Sequence, residues 1–275
     1  MRNLRRPLGF TLIELTMVIV VMGVIGATLA VFMRKPIDAY FDTARRAALT
    51  DVADTAVRRI SRDLGRALPN SVRNPSSSCI EFIPTRTGGR YRAEPDAGVV
   101  GSQASAVLDF AAADSSFNML ANNSLLPTDQ QVRANDVVVV YNLGIPGADA
   151  YAADNSAVVA SVVSGSESTI TIAAKQFPLA SPLSRFHVVP GDEKIVSFSC
   201  SAGRLLRSSN HAYSNSCPTS GATVAVLAAD VASCSFVYNA SDLLRNGLVQ
   251  MTFRFADSSG ESVSLYHEVH VGNTP

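Results

Sequence analysis

Gly9-Phe10-Thr11-Leu12-Ile13-Glu14-Leu15, with the apolar run that continues to Met33, decides how this chain is read. Residues 10–33 carry no charge other than Glu14. At 1.5 Å rise per residue the run makes a helix of about 36 Å, enough to cross a ~30 Å hydrocarbon core with some tilt. Arg2, Arg5 and Arg6 precede it, followed by Pro7-Leu8-Gly9. An ordinary secretory signal has its small-residue cleavage site after the apolar run, which is then lost. Here the basic segment abuts the run directly, and cleavage after Gly9 would leave the helix on the mature protein with Phe10 as its N-terminus. The competing reading puts cleavage at Thr28-x-Ala30. That would release a secreted or membrane-tethered β-domain binding protein in which Glu14 is incidental.

Glu14 is the residue that needs explaining. A carboxylate at the centre of a membrane helix costs about 2.5–3.5 kcal/mol on insertion scales, and less near an end. One reading leaves Glu14 hydrated near the cytoplasmic surface. The other gives it a positive partner once several such helices pack, and the natural candidate is the free α-amine of Phe10 on a neighbouring subunit.

With its short basic leader and long apolar helix, Gly9-Phe10-Thr11-Leu12-Ile13-Glu14 resembles the signature of the type IV prepilin family, the pilins and the pseudopilins of type II secretion. The resemblance implies that a prepilin peptidase cuts between Gly9 and Phe10 and methylates the Phe10 amine. It also implies that Glu14 neutralises that amine and sets register during assembly.

The chain has 275 residues, no Trp, and 23 basic against 23 acidic side chains; losing the three leader arginines would leave 20 against 23. Nothing suggests a nucleic-acid surface, which needs a clustered basic excess. Arg34 and Lys35 flank the far end of the apolar run but are outnumbered by Arg2, Arg5 and Arg6, which favours a cytoplasmic N-terminus and a periplasmic remainder. Four cysteines, Cys79, Cys200, Cys217 and Cys234, suit an exported domain. Of the three pairings, we expect Cys200–Cys217, closing a short polar loop, and Cys79–Cys234, tying an early strand to a late one. The wide spacings and the lack of any C-x-x-C pair argue against zinc.

Beyond Pro36, Ile37, Phe41, Ala44, Ala48, Val52, Ala56, Ile60, Leu64 and Leu68 recur at spacings of three and four, one stripe of an amphipathic helix. Pro36 is expected to kink the helix or start a new segment, and Pro69-Asn70 to close it. The basic cluster Arg58–Arg66 reads as a solvated face rather than an anion site. Period-two patterning then predicts strands over 79–84, 106–111, 136–143, 157–163, 168–174, 185–189, 194–199, 203–207, 231–239, 247–256 and 261–271. The last two form a hairpin across Asp257-Ser258-Ser259-Gly260, and segments 85–105, 112–135 and 144–156 read as loops. The fold class expected is α+β and pilin-like, a long N-terminal spine helix on a mostly antiparallel β domain. The expected divisions are a leader at 1–9, a transmembrane helix at 10–36, an amphipathic spine at 37–70 and a β-rich globular domain at 71–275.

No catalytic constellation emerges. His267 and His270 are three apart in a strand pattern, so they point to opposite faces, unlike a zinc-protease helix. His187 and His211 are isolated. Gly88-Gly89 and Gly144-x-x-Gly147 lack the lysine and following helix of a phosphate loop, and Asp192-Glu193 sits in a turn-like Pro190-Gly191-Asp192 setting. We therefore expect no enzyme, no cofactor and no metal.

The size of the domain, the spine, Leu227–Phe236 and the ending His267–Pro275 resemble the larger minor pilins related to the J-type pseudopilin, particularly those of mannose-sensitive haemagglutinin (MSHA) pili. The resemblance implies a single-pass inner-membrane subunit that assembles with other minor and major pilins through an inner-membrane platform, surrounded by membrane lipid before assembly. A type II secretion pseudopilin is the alternative within the family.

Overall fold

The computed structural model describes residues 9–95, 106–210, 223–239 and 246–275. One helix, α1 (Leu12–Leu64), runs 53 residues without a break and is followed by strands. It passes through Pro36 without ending, so the expected segment start there is not found. It also stops short of Pro69-Asn70. Gly65 caps it, donating to Ser61 O at 2.9 Å, and the backbone beyond turns to a neighbouring strand: Leu68 donates to Ile83 O (2.8 Å) and Thr85 to Arg66 O (2.8 Å). Glycine propagates a helix poorly, and the tertiary bonds take over where it does.

The buried seam of α1 also differs from the expected stripe. Leu49, Ala53, Ala56, Val57, Ile60 and Leu64 are buried, whereas Ile37, Phe41 and Val52 are 48%, 53% and 42% exposed and Ala44 and Ala48 are open. Each step of four residues advances about 40° beyond a full turn, so a row of fours from Leu64 back to Ala44 drifts to the opposite side. Apolar burial against the β structure is confined to the last four or so turns of α1, with ion pairs from Arg45 and Arg46 one turn earlier.

Fourteen strands follow in the described residues: β1 (Arg73–Ser76), β2 (Cys79–Phe82), β3 (Thr87–Arg90), β4 (Asp114–Met119), β5 (Val137–Val140), β6 (Ser156–Val163), β7 (Ser168–Lys175), β8 (Arg185–Val189), β9 (Val196–Ser201), β10 (Arg204–Ser209), β11 (Thr223–Ala228), β12 (Val231–Asn239), β13 (Asn246–Ala256) and β14 (Ser262–Gly272). All pairings between them are antiparallel. The chain is thus α+β with an N-terminal helix. Sequence patterning had no strand at β1, β3, β4 or β11, and residues 106–111, expected as a strand, are irregular. β3 is Thr-Gly-Gly-Arg and β4 is Asp-Ser-Ser-Phe-Asn-Met. Such polar, glycine-bearing segments become strands only because β8 and β7 supply partners.

The strands form three sheets: β1-β2-β9-β10-β11, β12-β13-β14, and β3-β8-β5-β6-β7-β4. β2 and β9 pair directly (Cys79↔Ser199, Phe82↔Val196), so the whole six-stranded sheet is inserted between two neighbours of the first. The helix seam, the five-stranded sheet and the three-stranded sheet enclose one core, with Phe82, Phe198, Phe236, Phe253 and Phe255 fully buried. A second core, around Phe117, Phe177, Phe186, Val138 and Ile170, belongs to the inserted sheet. A small third cluster, Leu68, Ile83, Val139 and Val189, lies at the seam.

The cysteine pairing is corrected by the structure. Cys200 on β9 bonds Cys234 on β12, joining the first two sheets, and this excludes both Cys200–Cys217 and Cys79–Cys234. Cys79 is itself disulfide-bonded, and Cys217 lies outside the described residues. Nearness in sequence misled here, because the sheets bring residues 34 positions apart together across the core. The expected β13–β14 hairpin is present and reaches back to α1, where Arg46 Nε meets Glu261 Oε1 at 2.5 Å.

Candidate functional site

Glu14 and its neighbours form a defined unit at the start of α1. Thr11 is the N-cap, in extended conformation, and its Oγ1 accepts from the Glu14 backbone N–H at 3.3 Å. The Glu14 carboxylate reaches back to accept from the Thr11 backbone N–H and from Thr11 Oγ1, both at 3.4 Å. This is a capping box: two otherwise orphaned helix-terminal donors are satisfied reciprocally, and the negative charge sits at the positive end of the helix dipole. Both donors to the carboxylate come from Thr11, and a carboxylate offers about four acceptor positions. Capacity for a further cation remains.

Gly9 and Phe10 precede the cap in the open, Phe10 being 85% exposed. Residues 11–33 are exposed throughout, and α1 is the one described helix long and apolar enough to cross a membrane. Gly9 and Phe10 thus lie directly before the cap, and Glu14 lies in the first turn of α1. Thr11 carries a role that the sequence reading passed over; the signal was present, since Thr-x-x-Glu before an apolar run is the capping-box pattern.

A second concentration of polar groups lies where the inserted sheet meets the rest. Glu81, on β2, is fully buried. Burial pushes its carboxyl up to about 7, against the opposing influence of Arg73 and a hydrogen bond with Tyr151. The Arg73 guanidinium lies 3.7 Å above the Tyr151 ring and bonds Asp149 Oδ2 at 2.6 Å, while the Tyr151 hydroxyl donates to Ser71 O at 3.0 Å. Two residues of the inserted segment are thus held to β1 and to the turn after α1. Further along the seam, Arg207 bridges Asp63 of α1 (2.8 Å) and Glu193 (2.7 Å). Sequence offered no signal for Glu81: Cys-Ile-Glu-Phe alternates like a half-exposed strand, yet all four residues are buried because structure covers both faces.

The remaining sequence candidates are dispersed. Arg58 pairs with Asp54 and Arg59 with Asp63 along the helix surface. Asp192 accepts from Arg86 at 3.2 Å. Gly191 is fixed by packing, since a Cβ there would lie 2.2 Å from Asn135 O. Gly88 and Gly89 are in β3, and Gly144 takes a positive φ of 66° in a turn. His267 and His270 are exposed on β14, opposite Met251 and Leu248. Burial, with Arg185 nearby, holds His187 below the usual imidazole range. His211 lies outside the described residues. Among the described residues no group of three His, Cys, Asp or Glu side chains is placed to hold a metal ion.

Compared with protein-family models, curated proteins and solved structures, the chain matches none.

Proposed function

We propose that this chain is a membrane-anchored subunit of a pilus-like filament, a minor member of the type IV prepilin class whose role is assembly rather than catalysis. Within that class its motifs favour an O-type minor pilin of an MSHA-type pilus, cut between Gly9 and Phe10 by a prepilin peptidase, N-methylated at Phe10, and acting at the priming or tip stage with other pilins.

The observation that carries the reading is the unit Phe10–Glu14 at the head of a 53-residue helix whose first half is apolar and exposed. In lipid that surface is covered by acyl chains; in a filament it would be covered by the same surface of other subunits. Glu14 is held at the helix start by Thr11, close to where the α-amine of a neighbour's Phe10 would arrive. A carboxylate buried among packed helices is tolerable only when its charge is paired. An out-of-register or unprocessed neighbour would leave it unpaired, so the charge acts as a check on register and processing. The β structure, joined to the lower half of α1, stands clear of this surface and is free for lateral contacts with partner subunits.

Mass spectrometry of the N-terminal peptide from a native-like host tests the reading. A peptide beginning at Phe10 and heavier by one methyl group supports it. A peptide beginning near Val31 refutes it and leaves a secreted β-domain protein.

A further inference from the structure

The seam between the two large cores does not close. Ile83, Val137, Val139, Val158, Val189 and Ile195 line an open groove of about 430 Å³, inside the span of about 300–1,000 Å³ typical of small-molecule sites. It exists because the third apolar cluster is too small to fill the gap: only Leu68, Ile83, Val139 and Val189 are buried there, and Val137 and Tyr151 stay half-exposed against them. Val158, on β6, is 44% exposed along the groove wall.

Tyr151 is a fixed wall rather than a flap, since its hydroxyl is bonded to Ser71 O and its ring carries Arg73. The open rim holds Lys194, which is exposed and makes no ion pair among the described residues. A second ammonium, Lys175, is tied to the backbone of the lining residue Ala153 at 2.8 Å. The groove is thus an apolar channel with positive charge at its rim and no carboxylate in its lining.

We propose that this groove binds one single-chain anionic amphiphile, with its acyl chain along Val137, Val139 and Val158 and its acidic head at Lys194. A free fatty acid and an anionic lysophospholipid share that chemistry. Helix α1 would tether the chain to a membrane, a source of both, with the groove about 45 Å of helix beyond the apolar run. The proposal does not depend on the assembly role.

The test uses the full chain in nanodiscs of zwitterionic lipid, titrated with dansylundecanoic acid and read by dansyl fluorescence. Val158→Trp places a bulky ring in the groove at an exposed position, and discs carrying that variant subtract simple partition into lipid. The expected result is a saturable one-to-one signal in the unaltered protein that Val158→Trp abolishes. Lys194→Glu should weaken it at least about fivefold, while Lys194→Arg retains it. Removing two methylenes from a competing fatty acid should weaken competition about tenfold. Lauric acid should compete better than methyl laurate, and comparison of lauric acid with lysophosphatidylglycerol tells which source is preferred. Identical signals from the unaltered protein and Val158→Trp would overturn the proposal, as would indifference to Lys194→Glu or equal competition by methyl laurate.

Discussion

Glu81→Gln gives the most direct quantitative test of the seam. Burial raises the folded-state carboxyl from 4.5 to about 7, so between those values the folded chain holds a proton that the unfolded chain has released. The contribution of Glu81 is therefore fully present below about pH 4.5, falls as pH rises, and has been lost above about pH 7. At about 1.4 kcal/mol per pH unit, that interval corresponds to about 3 kcal/mol. Glutamine copies the shape of the neutral acid and does not titrate. The variant should match the unaltered protein near pH 4.5–5 and exceed it by up to about 3 kcal/mol at pH 8. His187, held low by burial and Arg185, acts in the opposite sense and loses stability as pH falls, but it is common to both chains and cancels in the difference. With no Trp in the sequence, denaturant unfolding of the full chain in detergent is best followed by near-ultraviolet circular dichroism of its tyrosines at a series of pH values. Parallel stability curves, or a variant less stable at pH 8, would refute the view that Glu81 is an uncomfortably buried acid.

At the head of α1, Glu14→Gln keeps a side chain able to complete the capping box but removes the charge, whereas Glu14→Val removes both. Both should insert in the membrane normally and both should lose co-purification with partner subunits; if Gln retains it, the cap and not the charge is what matters. Gly9→Val should leave an uncut precursor visible as a heavier band, and normal processing on a gel would sink the leader assignment. Replacing Cys200 and Cys234 together by Ser opens a link spanning 34 positions. A loop of that length should cost about 4 kcal/mol in denaturant unfolding, and a loss under about 1 kcal/mol would show that the bridge adds little to the two packed sheets.

Sequence alone determined what is local or periodic. The apolar run with its single carboxylate, the long helix, the α+β class, and strands such as β6, β7, β8, β12 and the β13–β14 hairpin all follow from patterning over a few residues, because the 3.6-residue and two-residue repeats act within one element. The Thr11–Glu14 cap is equally local: both partners lie within one turn, so its pattern was open to reading. Tertiary structure decided whatever depends on meeting a distant partner. Helix α1 buries Leu49, Ala53 and Val57 rather than the row through Ala44, Ala48 and Val52, because only the docked sheets choose a face. Cys200 finds Cys234 because β9 and β12 line one core, and β3 and β4 are strands because β8 and β7 offer open edges. Glu81 is buried, and the Val139 groove is open, because an inserted sheet meets the first at a seam with too few apolar side chains to fill it. Contacts separated by a hundred residues leave no periodic trace in sequence; they arise only when elements distant along the chain come to face each other.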